Sequence, residues 1–384
     1  MSSIPVARIR PGALEKVRRG HPWIFGDAIV SAPRGAGDGD VVAIEGGGIG
    51  VLDPTSPIRI RVWSHEIPNS FDALFGERLA RAFARRAHLP ASGTTAYRLL
   101  HGEGDRMPGI VLDRYDAVAI ARPDGAAAEA VLVRNQATIV RALDGIGVAS
   151  LALRRRDRKE LEAISGPPPP ASVEVREHGV PFFVDLAAGQ KTGAFLDQRE
   201  NRRRVGEIVS RRGAGTVLNL FSYAGGFSQR AALAGARVTS VDIAAGAHAT
   251  AQESFKRAKL APGDHEFVTA DCFAFLEEAR KRRRTWDVVI SDPPSFAPNA
   301  RSVPRALSAY RALHGLAARV LADGGTLCAA SCSSHVSLED FLGTLDDKAL
   351  GRELSLVAAY GLPEDHPTLP SFPEGRYLEL CELR

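Results

Sequence analysis

From residue 216 onward, short apolar segments alternate with helical ones. Residues 216–221, 237–241, 265–270, 286–291 and 325–330 read as strands, and amphipathic or alanine-rich stretches such as 227–234 lie between them. No other feature constrains the fold as strongly. Strands joined through helices lie parallel, and their sheet is covered on both faces. The fold class is therefore α/β with a Rossmann-like sheet, whose ligands bind outside the carboxyl ends of the strands.

The chain before that sheet has a different character. Residues 1–72 read as short strands at 6–10, 40–45, 48–52 and 58–63, broken by the glycine turns 35–39 and 46–48, which predicts a small β-barrel. Apolar residues at helical spacing, among them Phe71, Leu74, Phe75, Leu79 and Phe83, predict an amphipathic helix over 71–87. Strands at 97–100, 109–113 and 118–121, one long alanine-rich helix over 126–142 and a strand at 149–154 complete a small α+β domain, 73–170. It ends in Gly166 and the tetraproline 167–170, which continues neither a helix nor a central strand. The remainder, 171–384, opens with a hairpin around His178-Gly179. A length of 384 residues accommodates these three domains.

Apolar runs such as 110–112 fall far short of a membrane span, and residues 1–5 lack a secretory signal, so a cytoplasmic protein without a membrane partner is expected. The four cysteines form no CxxC pair and no zinc-like cluster with histidine, so no metal is expected and the thiols should be free. The net charge is +4, with basic clusters at 8–19, 154–159, 199–204 and 280–284. Each alone reads as a solvated helix face. Together they leave a polyanionic partner open.

The strand ends carry the chemistry. The first strand, which contains Asn219, runs through Phe221 into Ser222-Tyr223-Ala224-Gly225-Gly226. This loop has two adjacent glycines and no third, so it lacks the GxGxxG cradle for a pyrophosphate. A nucleoside cofactor without phosphate fits better, and S-adenosylmethionine is the obvious one. Asp242, followed by Ile243, closes the second strand and suits ribose hydroxyls. Asp271-Cys272 follows the third and suits the adenine amine. Asp292-Pro293-Pro294-Ser295-Phe296 follows the fourth, where two prolines fix a rigid turn. Three acids at the ends of strands in one sheet point to a site.

Ser331-Cys332-Ser333 follows the fifth strand, which places Cys332 beside Asp292 if consecutive strands are neighbours. Cys328 and Cys381 lie inside strands and read as core, and Cys272 borders the adenine region. A thiolate at Cys332 would add to carbon 6 of a pyrimidine and make carbon 5 nucleophilic, with Asp292 assisting at N3 or the exocyclic amine. Methylation of a ring amine needs no thiol and uses a D/N-P-P-aromatic turn to stack the base. Here Ser295 holds that aromatic position and Phe296 comes one later.

At these residues the sequence resembles the 23S ribosomal RNA cytosine-C5 methyltransferases of the large subunit. The likeness spans nearly the whole chain. It is carried by Arg19-Gly20-His21-Pro22-Trp23-Ile24-Phe25, by Tyr97-Arg98-Leu99 and by Gly102-Glu103-Gly104-Asp105-Arg106-Met107-Pro108-Gly109. It continues in Lys191-Thr192-Gly193-Ala194-Phe195-Leu196-Asp197-Gln198-Arg199, Leu218-Asn219-Leu220-Phe221-Ser222-Tyr223, Asp292-Pro293-Pro294, Ser331-Cys332-Ser333 and Asp365-His366-Pro367. The resemblance implies a PUA barrel, a central α/β domain and a class I methyltransferase domain that forms 5-methylcytosine in 23S ribosomal RNA. It also implies that Cys332 is catalytic and that the 191–199 run packs on the cofactor site.

The expected site comprises Cys332 and Asp292 for catalysis. Gln198, Arg199, Asn219, Phe221, Ser222, Tyr223, Gly225, Gly226, Asp242, Ile243, Asp271, Cys272 and Asp292 are expected to hold the cofactor. His21, Trp23, Arg59 and Arg61 offer aromatic and basic groups suited to RNA. Trp23 and Phe25 read equally well as barrel core. A homodimer is a further expected assembly. The rival reading is methylation of a guanine or adenine nitrogen of ribosomal RNA. Outside that class, a nicotinamide oxidoreductase is disfavoured by the two-glycine loop, and a small-molecule methyltransferase by the PUA-like segment.

Overall fold

The computed structural model describes residues 4–33, 35–156, 158 and 160–384. The first three residues of the N-terminal stretch read above, and Asp157 and Lys159 of the second basic cluster, lie outside the described residues. So does Arg34. The chain divides into two compact units. One runs to Val175 and adds Asp185–Leu196 and Glu364–Gly375. The other comprises Arg176–Val184, Asp197–Pro363 and Arg376–Arg384.

The first unit begins with β1 (Val6–Ile9), α1 (Pro11–Arg18), β2 (Trp23–Phe25), β3 (Ile29–Ser31), β4 (Val41–Ile44), β5 (Gly48–Leu52) and β6 (Ile58–Ser64). The strands form a six-stranded sheet in the order β2-β6-β5-β4-β1-β3 around Ala7, Val17, Ile24, Val42, Ile44 and Ile60. The helix α1 was not expected. Pro11 starts it at a position where the missing N–H costs nothing, and the basic run 8–19 conceals its single buried face at Val17.

Next come α2 (Phe71–Arg85), β7 (Ala96–His101), β8 (Ile110–Tyr115), β9 (Val118–Pro123), α3 (Ala126–Arg134), α4 (Gln136–Asp144), β10 (Ser150–Leu153) and β11 (Glu162–Ser165). Their five strands are ordered β11-β10-β9-β8-β7. The single long helix expected over 126–142 is two helices. Buried Asn135 turns its side-chain amide back onto the Val131 carbonyl at 3.0 Å, and that local bond competes with continued helix. The proline run starts pinned rather than free, because Ser150 Oγ donates to the Pro167 carbonyl at 2.7 Å.

A buried polar network ties this unit together. Arg86 grips Asp105 through two bonds of 2.9 and 2.7 Å and reaches the Asp365 carbonyl at 2.6 Å. Arg98 holds Asp113, and its backbone N–H donates to Asp365 at 2.9 Å. Thr192 joins through Asp113 at 2.6 Å and the Tyr115 hydroxyl at 2.8 Å. Burying so many charges is tolerable only because each has a fixed partner, and removing one partner costs about 3–5 kcal/mol.

A hairpin of β12 (Ser172–Glu177) and β13 (Val180–Asp185) turns at His178 and Gly179, both left-handed at φ 47° and 78°. The second unit continues with α5 (Arg199–Arg212), β14 (Thr216–Leu220), α6 (Gly226–Leu233), β15 (Arg237–Asp242), α7 (Ala245–Arg257), β16 (Glu266–Thr269), α8 (Cys272–Lys281) and β17 (Trp286–Ser291). It is completed by α9 (Val303–Arg319), β18 (Leu321–Ser331), α10 (Leu338–Leu342), α11 (Asp347–Leu350), β19 (Leu356–Tyr360) and β20 (Glu379–Leu383).

The seven strands run β16-β15-β14-β17-β18-β20-β19, with β20 alone antiparallel. Alternate residues feed two cores. Leu218, Leu220 and Val289 pack on Leu276, Tyr310 and Leu313, while Val217, Val288 and Ile290 pack on Val205, Val209 and Phe227. Strand order reverses between β14 and β17, which opens a crevice at their carboxyl ends. Among the described residues no helix is long and apolar enough to cross a membrane.

Candidate active site at the carboxyl edge of the sheet

Register brings the strand ends level. Leu220 lies opposite Val241 and Ser291, Asp242 opposite Thr269, and Ser291 opposite Ala329. The edge divides into two halves about the β14–β17 crevice.

On the β14–β15–β16 side, the backbone carries the geometry. Phe221 and Tyr223 are both left-handed, at φ 56° and 46°, a strained conformation for residues with side chains. Fixed acceptors hold them there. Asp242 takes the Tyr223 N–H at 2.7 Å and the Ala244 N–H at 2.8 Å, and the Cys272 sulfur takes the Phe221 N–H at 3.3 Å. Ser222 N–H donates to the Val241 carbonyl at 3.0 Å.

Packing requires glycine at both positions of the loop. Gly225 has φ 74°, and a Cβ there would stand 2.7 Å from that of Ala251 on α7. At Gly226 it would stand 2.5 Å from Arg202 Cδ. Asp271 is exposed and caps α8 by accepting the Ala274 N–H at 2.9 Å. Asn219 is buried in the strand–helix layer, its amide donating to Ser228 at 2.8 Å.

A nucleoside-bearing group fits this half. Among the described residues the buried oxygens Ser222 Oγ and Asn219 Oδ1 have no hydrogen-bond partner, and Ser291 Oγ across the crevice has none either. Ile243, an apolar side chain 75% exposed, stands directly after Asp242 and offers a face to a purine ring. Asp242 and Asp271 present carboxylate oxygens along this edge, acceptors of the kind that ribose hydroxyls and an adenine amine require. Among the described residues no group of three or more His, Cys, Asp or Glu could hold a metal ion.

The β17–β18 side is built from side chains. Cys332 is half-buried and its thiol donates to the Pro293 carbonyl at 3.7 Å, so the cysteine and the Asp292-Pro293-Pro294 turn are adjacent, as expected. Gln198 donates to Asp292 Oδ1 at 2.9 Å and is itself held by the Asn201 amide at 2.7 Å. Arg199 is fully buried and bonds Glu200 at 3.1 Å.

The other three cysteines are buried, and burial pushes each thiol up to about 12. Tyr310 was not foreseen. Its hydroxyl bonds Ser331 at 3.0 Å, and its proton is held more tightly than usual by burial and by nearby Cys332 and Asp292. Nothing in its helical spacing marks it beyond core packing. Ser295 bonds Ser333 at 2.8 Å, and Phe296 packs on the Tyr310 ring at 4.9 Å.

Of the four expected RNA contacts in the barrel, Arg61 and Trp23 are committed to partners within the protein. Arg61 is 2% exposed and holds Glu103 at 2.5 Å and Asp124 at 2.6 Å, so its charge is consumed internally. Trp23 donates to Glu103 at 2.7 Å and packs on Phe372 at 4.6 Å. His21 bonds the Trp23 backbone at 3.2 Å. Arg59 is half-exposed. The 191–199 run is also divided, with 191–196 in the first unit and 197–199 in the second.

Residues 114–370 match the family of S-adenosylmethionine-dependent methyltransferases, and residues 7–65 match a PUA-like domain. The chain is 33% identical over 383 residues to the ribosomal RNA large subunit methyltransferase I of Escherichia coli K12, covering 96% of both chains. With the enzyme of the same description from Citrobacter koseri the identity is 34%, at the same coverage. A solved methyltransferase complexed with S-adenosylhomocysteine superposes with a TM-score of 0.85 at 25% identity, covering 99% of this chain and all of the other. A solved S-adenosylmethionine-dependent methyltransferase from Streptococcus mutans gives 0.84 at 23%, covering 99% and 100%, a likeness of fold.

Proposed function

The chain belongs to the S-adenosylmethionine-dependent methyltransferases, with S-adenosylmethionine as its cofactor, and on that premise we propose that it methylates carbon 5 of a cytosine in 23S ribosomal RNA. Within this reading 1–72 is the RNA-binding barrel, 73–170 the central α+β domain that ends in the proline-rich linker, 171–384 carries the chemistry, and the protein works in the cytoplasm. The large-subunit RNA substrate rests on relatives matched over nearly their whole length. The cytosine assignment rests on one observation: Cys332 alone among the four cysteines is accessible, and it stands beside the Asp292 turn.

S-adenosylmethionine, when bound, supplies an electrophilic methyl group, which carbon 5 of a resting cytosine is too weakly nucleophilic to accept. Cys332, as thiolate, adds to carbon 6 and pushes electron density onto carbon 5. Asp292, held by Gln198, accepts from the exocyclic amine as a carboxylate or donates to N3 as the acid, and so favours that addition. Once carbon 5 is methylated, loss of its proton restores the ring and expels the Cys332 sulfur.

The nitrogen-methylating alternative needs a free aromatic after the prolines to stack the base. Phe296 is instead packed on Tyr310. The test is to digest 23S RNA, after incubation with protein and methyl-labelled S-adenosylmethionine, to nucleosides. The label should co-elute with 5-methylcytidine. Label in a methylated guanosine or adenosine contradicts the assignment.

A further inference from the structure

A second cavity lies in the first unit, distant in sequence from the carboxyl edge formed by β14 to β18. Its volume is about 330 Å³, within the ~300–1,000 Å³ of small-molecule sites. Its lining joins Gly20–Pro22 and the end of β6 to α2 and the turn after β7. Arg78, Arg81, Arg106, His21 and His65 line it against two acids, Glu66 and Glu103.

That imbalance grows when internal pairs are removed. Glu103 is spent on Arg61 at 2.5 Å and on the Trp23 indole at 2.7 Å. Arg81 is paired with Glu77 at 2.5 Å. Among the described residues Arg78 and Arg106 have no ion-pair partner, and the Arg78 guanidinium donates to the backbone carbonyl of Arg106 while lying 5.9 Å from the Trp63 ring centroid. Two arginines are thus held together, and of the two acids in the lining only the exposed Glu66 is not already paired among the described residues. Burial first, then Arg106 and Arg81 against Glu77, lowers Arg78 to about 10; burial first, then Arg106 and Arg78, lowers His65. Crowded, unneutralised guanidinium groups around a cavity are suited to a phosphate, which can accept from both.

We propose that this cavity is a phosphate site for the RNA backbone, with Arg78 and Arg106 as its ligands. The inference rests on the RNA reading above and deepens it: the RNA grip moves from the buried Arg61 and the packed Trp23 to arginines the barrel borrows from the adjoining α+β segment. Since the contact is to the backbone, it positions RNA without reading sequence.

The test compares wild-type protein with R78Q/R106Q and with R78K/R106K, using a 23S RNA fragment at several salt concentrations. The glutamine pair should weaken RNA binding about tenfold at 0.15 M salt and flatten the log–log salt dependence by about 1.5–2, two phosphate contacts' worth. The lysine pair should recover most of the affinity, and S-adenosylhomocysteine affinity should be the same in all three. Unchanged RNA affinity and slope in the glutamine pair overturns the proposal alone, as does a pair that loses only its competition by inorganic phosphate, which would make this a free-anion site. Wild-type protein that loads S-adenosylhomocysteine yet binds no RNA overturns the RNA reading and this inference together.

Discussion

Two cysteines sit just past strand ends on the same sheet edge, on opposite sides of the crevice, and they have opposite surroundings. Cys272 is buried at the first turn of α8, its thiol raised to about 12 by burial, and its sulfur accepts the N–H of a strained Phe221. Cys332 is half-buried beside the Pro293 carbonyl, and with Asp292 it adds to the burial that raises the Tyr310 hydroxyl. The contrast extends to the halves around them. The β14–β16 half is a strained loop held by acceptors, whereas the β17–β18 half is a set of side chains on two strands and one helix. The same residue type is scaffold in one and, in our proposal, nucleophile in the other, so position relative to strand end and solvent decides its role.

The comparison can be broken first through what lies under the β17–β18 half. His314 stacks on Tyr310 with ring centroids 5.7 Å apart, is fully buried, and is pushed down to about 4 by burial. Unfolded, it titrates near 6.5, so between those values the unfolded chain binds the proton more readily. Stability from this group is therefore complete above about pH 6.5 and is lost as pH falls toward 4, by about 3 kcal/mol in all. His314→Leu should remove that slope from denaturant unfolding measured across pH 4–7. An equal slope in the variant would show that other groups set the acid limb.

A smaller effect sharpens the β14–β16 half. Cys272→Ala should cost about 1–2 kcal/mol in unfolding, since a packed sulfur and one acceptor are lost. Methyl transfer should stay within a few-fold of wild type. A collapse of the rate at unchanged S-adenosylhomocysteine affinity would give Cys272 the chemical role we assign to Cys332.

Much of this was legible in the sequence, for identifiable reasons. Buried parallel strands leave continuous apolar runs, and acids at their ends stand out, so the sequence alone puts Asp242, Asp271, Asp292 and Cys332 at strand ends. Topology, not spacing, puts β14 between the acids of β15 and β17. Tyr310 and Asn201 were invisible because a helix face gives no sign of what a buried hydroxyl or amide touches. Arg61 misled because an arginine in a strand reads the same whether it meets solvent or Glu103. The scattered motifs around Arg98, Asp105, Thr192 and Asp365 have one common ground that no local pattern could show: they converge in a single buried network.

The assignment of the two cysteines is tested most directly by trapping. RNA carrying 5-fluorocytidine in place of cytidine cannot lose the group at carbon 5, so a nucleophile that has added at carbon 6 stays attached. Incubated with S-adenosylmethionine, wild-type protein and Cys272→Ala should both form a denaturation-resistant RNA adduct that maps to Cys332, and Cys332→Ala should form none. Methyl transfer to unmodified RNA that persists in Cys332→Ala, or an adduct that maps to Cys272, would contradict the account.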